Sequence, residues 1–341
     1  MADKIFGEYS DELMIGPQDL PNLRWAIGPD AASELMWDDW GDADVPHLAI
    51  FAGTKAGKST ILNTMLLQLL YNNTPDQLRL VLAEPKTGLG SFKNVRAVDK
   101  FIGMQEKAPP GTEPRLAKQR PSIFLGRLAH TLDQEIEEMF RRNELFETLG
   151  VKHIGAGINN ISTSWEVGLK YNEPDLLVPL RIVIIEEAIM GLQKPRKGVS
   201  PEGAEWHDLV MSALDAIAVA GRSAGIHLLM IAQDATKANF PGLIKKNSRR
   251  LGLKLGTTAA SISAIEQIGL EKLPGKGHGL YESSDYGWVR LRGLFPDEVT
   301  VGKWLERIDQ DPGVDKSAPL LQLEEDEEFM DIGDLQDLGW G

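Results

Sequence analysis

The chain has 341 residues, a formal net charge of −14 and no cysteine. With 42% apolar and 25% charged residues it has material for one large α/β domain or two average ones, which excludes wholesale disorder. The missing cysteine excludes disulfides, thiolate metal sites and a cysteine nucleophile, and it suits a reducing cytoplasm. The six histidines (47, 130, 153, 207, 227 and 278) are scattered without metal-ligand spacing. Apolar stretches such as 209–232 are broken by Asp215, Arg222 and His227, short of the ~20 clean residues of a membrane span. No apolar run follows the N-terminal Met-Ala-Asp-Lys, so the expectation is a soluble, cytoplasmic protein.

The charge is unevenly placed. Residues 1–45 hold 11 acids and 2 bases, and residues 321–341 hold 8 acids and no base. The remaining 46–320 is mildly basic, so the overall acidity does not by itself exclude a polyanionic partner.

In chain order, 1–45 reads as an acidic lead-in with a candidate β-hairpin. Then come an apolar strand at His47–Ala52 and a buried helix at Thr60–Tyr71. A second strand, Leu78–Ala83, is followed by a Pro-rich basic loop at Lys107–Arg120 and an amphipathic helix at Ile123–Leu149. A strand at Arg181–Ile185, a loop at Gly191–Gly203, a helix at Glu205–Arg222 and strands at Ile226–Ala232 and Arg250–Leu255 complete the pattern. Strands alternating with helices predict an α/β fold, a mainly parallel sheet with helices on both faces. Residues 46–310 would form this domain, and 311–341 an acidic, poorly ordered tail.

The segment Ile50-Phe-Ala-Gly-Thr-Lys-Ala-Gly-Lys-Ser-Thr60 is the strongest signal. A strand enters a small-residue loop that opens a helix, the arrangement in which backbone N–H groups cradle phosphate. Gly53, Thr54, Lys55, Ala56, Gly57, Lys58, Ser59 and Thr60 are the nucleotide-binding candidates. Lys58 would neutralise β/γ-phosphate charge and Ser59 would hold Mg²⁺. Ala52 stands where the motif usually begins with glycine. A second strand end, Arg181-Ile-Val-Ile-Ile-Glu186-Glu187, supplies two carboxylates: Glu186 for Mg²⁺ and Glu187 as general base. The first of these positions is ordinarily Asp.

With those motifs in place, the sequence resembles the motor domain of the FtsK/SpoIIIE DNA translocases, within the FtsK–HerA group of RecA-like P-loop ATPases. The resemblance runs through Leu78-Arg-Leu-Val-Leu-Ala-Glu-Pro-Lys86, Glu138-Met-Phe-Arg-Arg-Asn-Glu-Leu-Phe146 and Arg222-Ser-Ala-Gly-Ile-His-Leu228. It continues through Ile231-Ala-Gln233 and Gly269-Leu-Glu-Lys-Leu-Pro-Gly-Lys-Gly-His-Gly-Leu-Tyr281. It implies a hexameric ring that threads double-stranded DNA using ATP and Mg²⁺. Arg222 would reach the neighbouring subunit's ATP, and Gln233 would sense the γ-phosphate. Asp234 stands where the family usually has Arg, and 255–271 lacks a basic residue before Lys272. The family's membrane and winged-helix parts are not seen, as expected of a phage- or plasmid-encoded relative working in a bacterial host cytoplasm.

Phosphate contact needs cations, and Lys245, Lys246, Arg249 and Arg250 form the best cluster, with Lys93 and Arg96 weaker. Nothing suggests base readout, so contact with DNA would be sequence-independent. An FtsK-like ATPase that moves or gates protein substrates is the alternative. The tail's Phe329, Met330, Ile332, Leu335, Leu338 and Trp340, set among acids, suit docking on a protein partner.

Overall fold

The computed structural model describes residues 9–41, 45–86, 88–103, 115–155, 157–195, 201–233, 240–283 and 285–310. The helices are α1 (Ser10–Leu13), α2 (Lys58–Asn72), α3 (Arg115–Ile154), α4 (Ile161–Tyr171), α5 (Ala188–Gly191), α6 (Pro201–Ala224), α7 (Gly242–Lys246), α8 (Thr258–Ile265) and α9 (Glu298–Leu305). The strands are β1 (Arg24–Pro29), β2 (Leu35–Asp39), β3 (His47–Phe51), β4 (Leu78–Glu84), β5 (Val98–Gly103), β6 (Leu180–Ile185), β7 (Ile226–Ala232), β8 (Ser248–Leu253), β9 (His278–Ser283) and β10 (Gly287–Arg292).

Eight strands form one sheet in the order β10-β9-β8-β3-β7-β6-β4-β5. Neighbours from β8 to β5 run parallel, and β9 and β10 extend one edge antiparallel. β3 and β7 are buried at every position, which is why both read as unbroken apolar runs. Successive residues serve opposite cores. Leu48, Ile50, Ile182, Ile184, Leu229 and Ile231 join α2 on one face; Ala49, Phe51, Val183, Ile185, Leu228 and Met230 join α3 and α6 on the other. This is the doubly covered, mainly parallel α/β sheet that the sequence predicts.

The strands and long helices lie close to their predicted spans, but both predicted loops give residues to helices, the second of them 201–203 to the start of α6. Residues 115–120, expected within a loop, are the first turns of α3. Leu116, Ala117, Lys118 and Gln119 are strong helix formers, and their propensity outweighs the Pro-rich composition of the sequence before them. Residues 104–114, 196–200 and the tail 311–341 lie outside the described residues.

β1 and β2 pair antiparallel, from Arg24↔Asp39 to Pro29↔Leu35. This hairpin is strapped to α2. Gln68 accepts from Ala26 N (2.9 Å) and donates to Ala26 O (3.0 Å), while Asn72 donates to Leu13 O and accepts from Gly16 N. Asp38, fully buried, accepts from Trp25 Nε1 (2.7 Å), Arg249 Nε (2.6 Å) and Tyr281 Oη (2.7 Å), tying the hairpin to β8 and β9.

Candidate functional site

The parallel strands β3, β6 and β7 end side by side, and the loops leaving them enclose a cleft of about 530 Å³. Its lining includes Gly53, Thr54, Lys55 and Gly57 from the loop after β3, Lys58, Ser59 and Thr60 from the first turn of α2, Glu186 and Glu187 after β6, and Gln233 after β7. Segments far apart in sequence thus converge, as expected at the carboxyl ends of an open parallel sheet.

The loop after β3 is held by backbone. Gly53 N donates to Lys254 O (2.9 Å) and Gly277 N donates to Ala56 O (2.9 Å). Gly57 has φ +110, and a Cβ there would lie 3.0 Å from Gly277 N, so the position requires glycine. Ala52 has no left-handed backbone, so the exchange of the usual glycine for alanine imposes no strain. Lys55 takes φ +61, a conformation in which successive N–H groups can turn inward.

Glu187 has φ 53 and ψ 51, an uncommon left-handed conformation for a non-glycine residue. It turns the carboxylate back into the cleft, where it ion-pairs with Lys58, accepts from Gln233 Nε2 and lies 3.4 Å from Lys86 Nζ. Burial raises the proton affinity of Glu187, but Lys58, backed by Lys86, outweighs it and holds the carboxyl below its usual range. Glu186 Oε1 lies 3.4 Å from Lys58 Nζ, while Glu186 Oε2 is buried without a hydrogen-bond partner. Glu186 and the exposed Ser59 line the same cleft, and a carboxylate beside a hydroxyl suits a hard cation. Among the described residues no cluster of three or more His, Cys, Asp or Glu could hold a metal.

Three further residues belong to this cleft. Lys86 and Phe295 line it, and Glu84, fully buried at the end of β4, meets Glu186 behind it. Burial, helped by Glu186, pushes the Glu84 carboxyl up to about 8 against the opposing Leu89 N–H. Lys86 follows a strand that is apolar in sequence, but its place beside Glu187 depends on β4 pairing with β6; Phe295 carried no local signal.

Arg222 is not brought into the cleft. It is exposed in the last turn of α6, before β7, whereas Gln233 follows β7. The seven residues of β7 separate them by roughly 20 Å.

The four cations of the expected DNA-facing cluster are placed differently from one another. Arg249 is 4% exposed and ion-paired with Asp38, so it is part of the fold. Arg250 is paired with Glu282 (2.6 Å) and Glu266 (3.3 Å), and Lys245 with Ser263 O (2.7 Å) and Glu266 (3.3 Å). The carboxylates of β9 and the α8 cap thus neutralise cations that look unopposed in sequence, and Lys246 is the exposed member. Arg96 likewise pairs with Asp309 at 3.2 Å.

The parallel sheet with this cleft at its carboxyl edge defines the P-loop ATPase fold. The cytoplasmic domain of the Thermomonospora curvata type VII secretion ATPase EccC superposes with TM-score 0.63 at 20% identity, over 86% of this chain and 32% of that one. The pCW3 conjugation coupling protein TcpA superposes with TM-score 0.60 at 18% identity, over 87% of this chain and 72% of that one. Within this class the chain is a relative of the FtsK/SpoIIIE family, whose family model matches residues 19–107. The DNA translocase SftA of Bacillus subtilis is 30% identical over 267 residues, covering 77% of this chain and 24% of that protein. The DNA translocase FtsK of Clostridium tetani is 28% identical over 285 residues, covering 83% and 33%. The chain therefore spans about a third or less of these relatives. Among the described residues no helix is long and apolar enough to cross a membrane.

Proposed function

We propose that the chain is an ATP-hydrolysing motor that moves double-stranded DNA without sequence preference, working as a ring of six copies. The observation that carries the ATPase reading is the Glu187 carboxylate, held in the phosphate-loop cleft by Lys58 and Gln233. The nucleotide would lie on Gly53–Thr60, drawing the Lys58 ammonium from Glu187 to the β/γ-phosphates. Glu187, still steadied by Gln233 and Lys86, would then accept a proton from the attacking water. Mg²⁺ at Ser59 and Glu186 would neutralise phosphate charge. Gln233 would report the γ-phosphate, and Arg222 would complete the site of the neighbouring copy.

DNA as substrate is supported by 28–30% identity to named DNA translocases over most of this chain. The protein-substrate alternative is supported by a 20% identical secretion ATPase of like fold, a weaker sequence tie. Electrostatic contact with the duplex falls to exposed cations such as Lys246 rather than to the paired Arg249 and Arg250. The proposed motor domain is 46–310, preceded by an acidic lead-in, 1–45, that contributes the β1–β2 hairpin. The ATPase rate with and without linear duplex DNA is the test. Stimulation supports the DNA motor, turnover indifferent to DNA favours the protein-moving alternative, and no turnover overturns both.

A further inference from the structure

Resting on the nucleotide reading above, we propose that Phe295 is the seat of the nucleobase, its ring stacking on the base of a nucleoside triphosphate whose phosphates lie on residues 53–60. Phe295 is 37% exposed, although Leu294 before it and Pro296 after it are buried. It lines the same cleft as Lys58, Ser59 and Thr60, and it is the aromatic side chain of that lining.

The two residues before it, Gly293 and Leu294, are held by backbone hydrogen bonds to three segments. Gly293 N donates to Gly277 O (2.9 Å), in the segment whose Gly277 N also bonds the phosphate loop. Leu294 N donates to Ile27 O (2.9 Å) on the hairpin, and Leu294 O accepts from Thr64 Oγ1 (3.0 Å) on α2. Gly293 passes so close to α2 that a Cβ there would lie 2.2 Å from Ile61 Cδ1. The ring therefore follows a strap anchored to the first turns of α2, so less ordering of that strap is needed on binding.

An exposed ring on a rigid strap, beside a site for triphosphate, fits a flat apolar surface carried on the same ligand. A nucleobase provides that surface, and stacking does not depend on which hydrogen-bonding edge the base presents. The seat thus confers affinity for nucleoside over bare phosphate and ranks bases by stacking area. ATP and GTP should bind comparably, and CTP and UTP more weakly.

The test measures binding of ATPγS and of inorganic tripolyphosphate to the full chain by calorimetry, for wild type, Phe295→Ala and Phe295→Tyr. Loss of one base stack should weaken ATPγS on the order of tenfold in Phe295→Ala, with tripolyphosphate changed less than about twofold and Phe295→Tyr near wild type. Equal weakening of both probes would show that Phe295 only supports the loop and would overturn the base seat. Unchanged ATPγS affinity would overturn it as well. A wild type that binds neither probe removes the nucleotide reading, and the base seat falls with it.

Discussion

Glu187 holds together the residues read from sequence and those that were not. Lys58, Gln233 and Lys86 converge on it from three different loops, so each substitution has its own signature. Lys58→Ala should abolish nucleotide binding and turnover together. Glu187→Gln should bind ATP yet hydrolyse it about a hundredfold or more slowly, because the pocket is kept and the base is lost. Comparing ATP affinity with turnover separates the two; if Glu186→Gln blocks hydrolysis and Glu187→Gln does not, the roles are reversed. Glu84 makes a different prediction. Burial, with Glu186 adding to it, pushes its folded pKa to about 8, well above the ordinary 4.5 of the unfolded chain. The folded state therefore keeps a proton that the unfolded state has released, and this contribution to stability is lost as pH rises from about 4.5 through 8. Glu84→Gln keeps the neutral shape, so its melting temperature should fall less than the wild type's between pH 6 and pH 8.5. An equal fall in both proteins would remove Glu84 as the cause. The phosphate loop and the Glu186-Glu187 pair were legible because each is a contiguous pattern at a strand end. The Glu84–Glu186 contact was not, since it depends on β4 lying beside β6 in the sheet.

At the scale of elements, the central strands were legible and the edges were not, for a physical reason. β3, β6 and β7 are covered on both faces and are apolar almost throughout. β5 reads VDKFIG, and its Asp99 is used by Arg79 (3.0 Å) and Arg181 (2.9 Å), so charge that is paired in the fold interrupts the apolar run by which a central strand is read. Arg249 misled in the opposite direction: a cation in a basic run proved to be a buried partner of Asp38. Asp38→Ala should therefore leave a buried guanidinium without its carboxylate and destabilise the fold by about 3–5 kcal/mol, read from the urea midpoint. Asp38→Leu combined with Arg249→Met should recover much of that loss, because no uncompensated charge remains buried. If the double substitution is no better than Asp38→Ala, the network matters through Trp25 and Tyr281 rather than through the ion pair. In the phosphate loop, Gly57→Ala should weaken nucleotide binding, since the left-handed backbone and the 3.0 Å approach to Gly277 N leave no room for a methyl group.

For the whole molecule, the separation of Arg222 from the cleft decides how the proposed activity would be assembled. Roughly 20 Å of β7 lies between Arg222 and Gln233, so Arg222 has no route to the nucleotide of its own chain. It is exposed at the opposite end of the sheet, where a neighbouring copy could present its cleft. If Arg222 acts across such an interface, Arg222→Ala should leave nucleotide binding near normal and cut turnover on the order of a thousandfold. Position at the helix C-terminus gives a competing account, in which Arg222 merely complements the dipole of α6 and its loss costs a modest amount of stability. Mixing Arg222→Ala with Lys58→Ala separates the two. A working site would need its pocket from an Arg222→Ala subunit and its arginine from a Lys58→Ala subunit. Random assembly of an equal mixture places that combination at about a quarter of the interfaces of a closed ring, which sets the ceiling for recovered turnover. A cap acting within its own chain offers no such complementation, and the mixture would then show only the mean of two nearly inactive proteins. Activity that rises with the proportion of mixed interfaces supports the shared site, and activity that stays at the mean at every ratio overturns it.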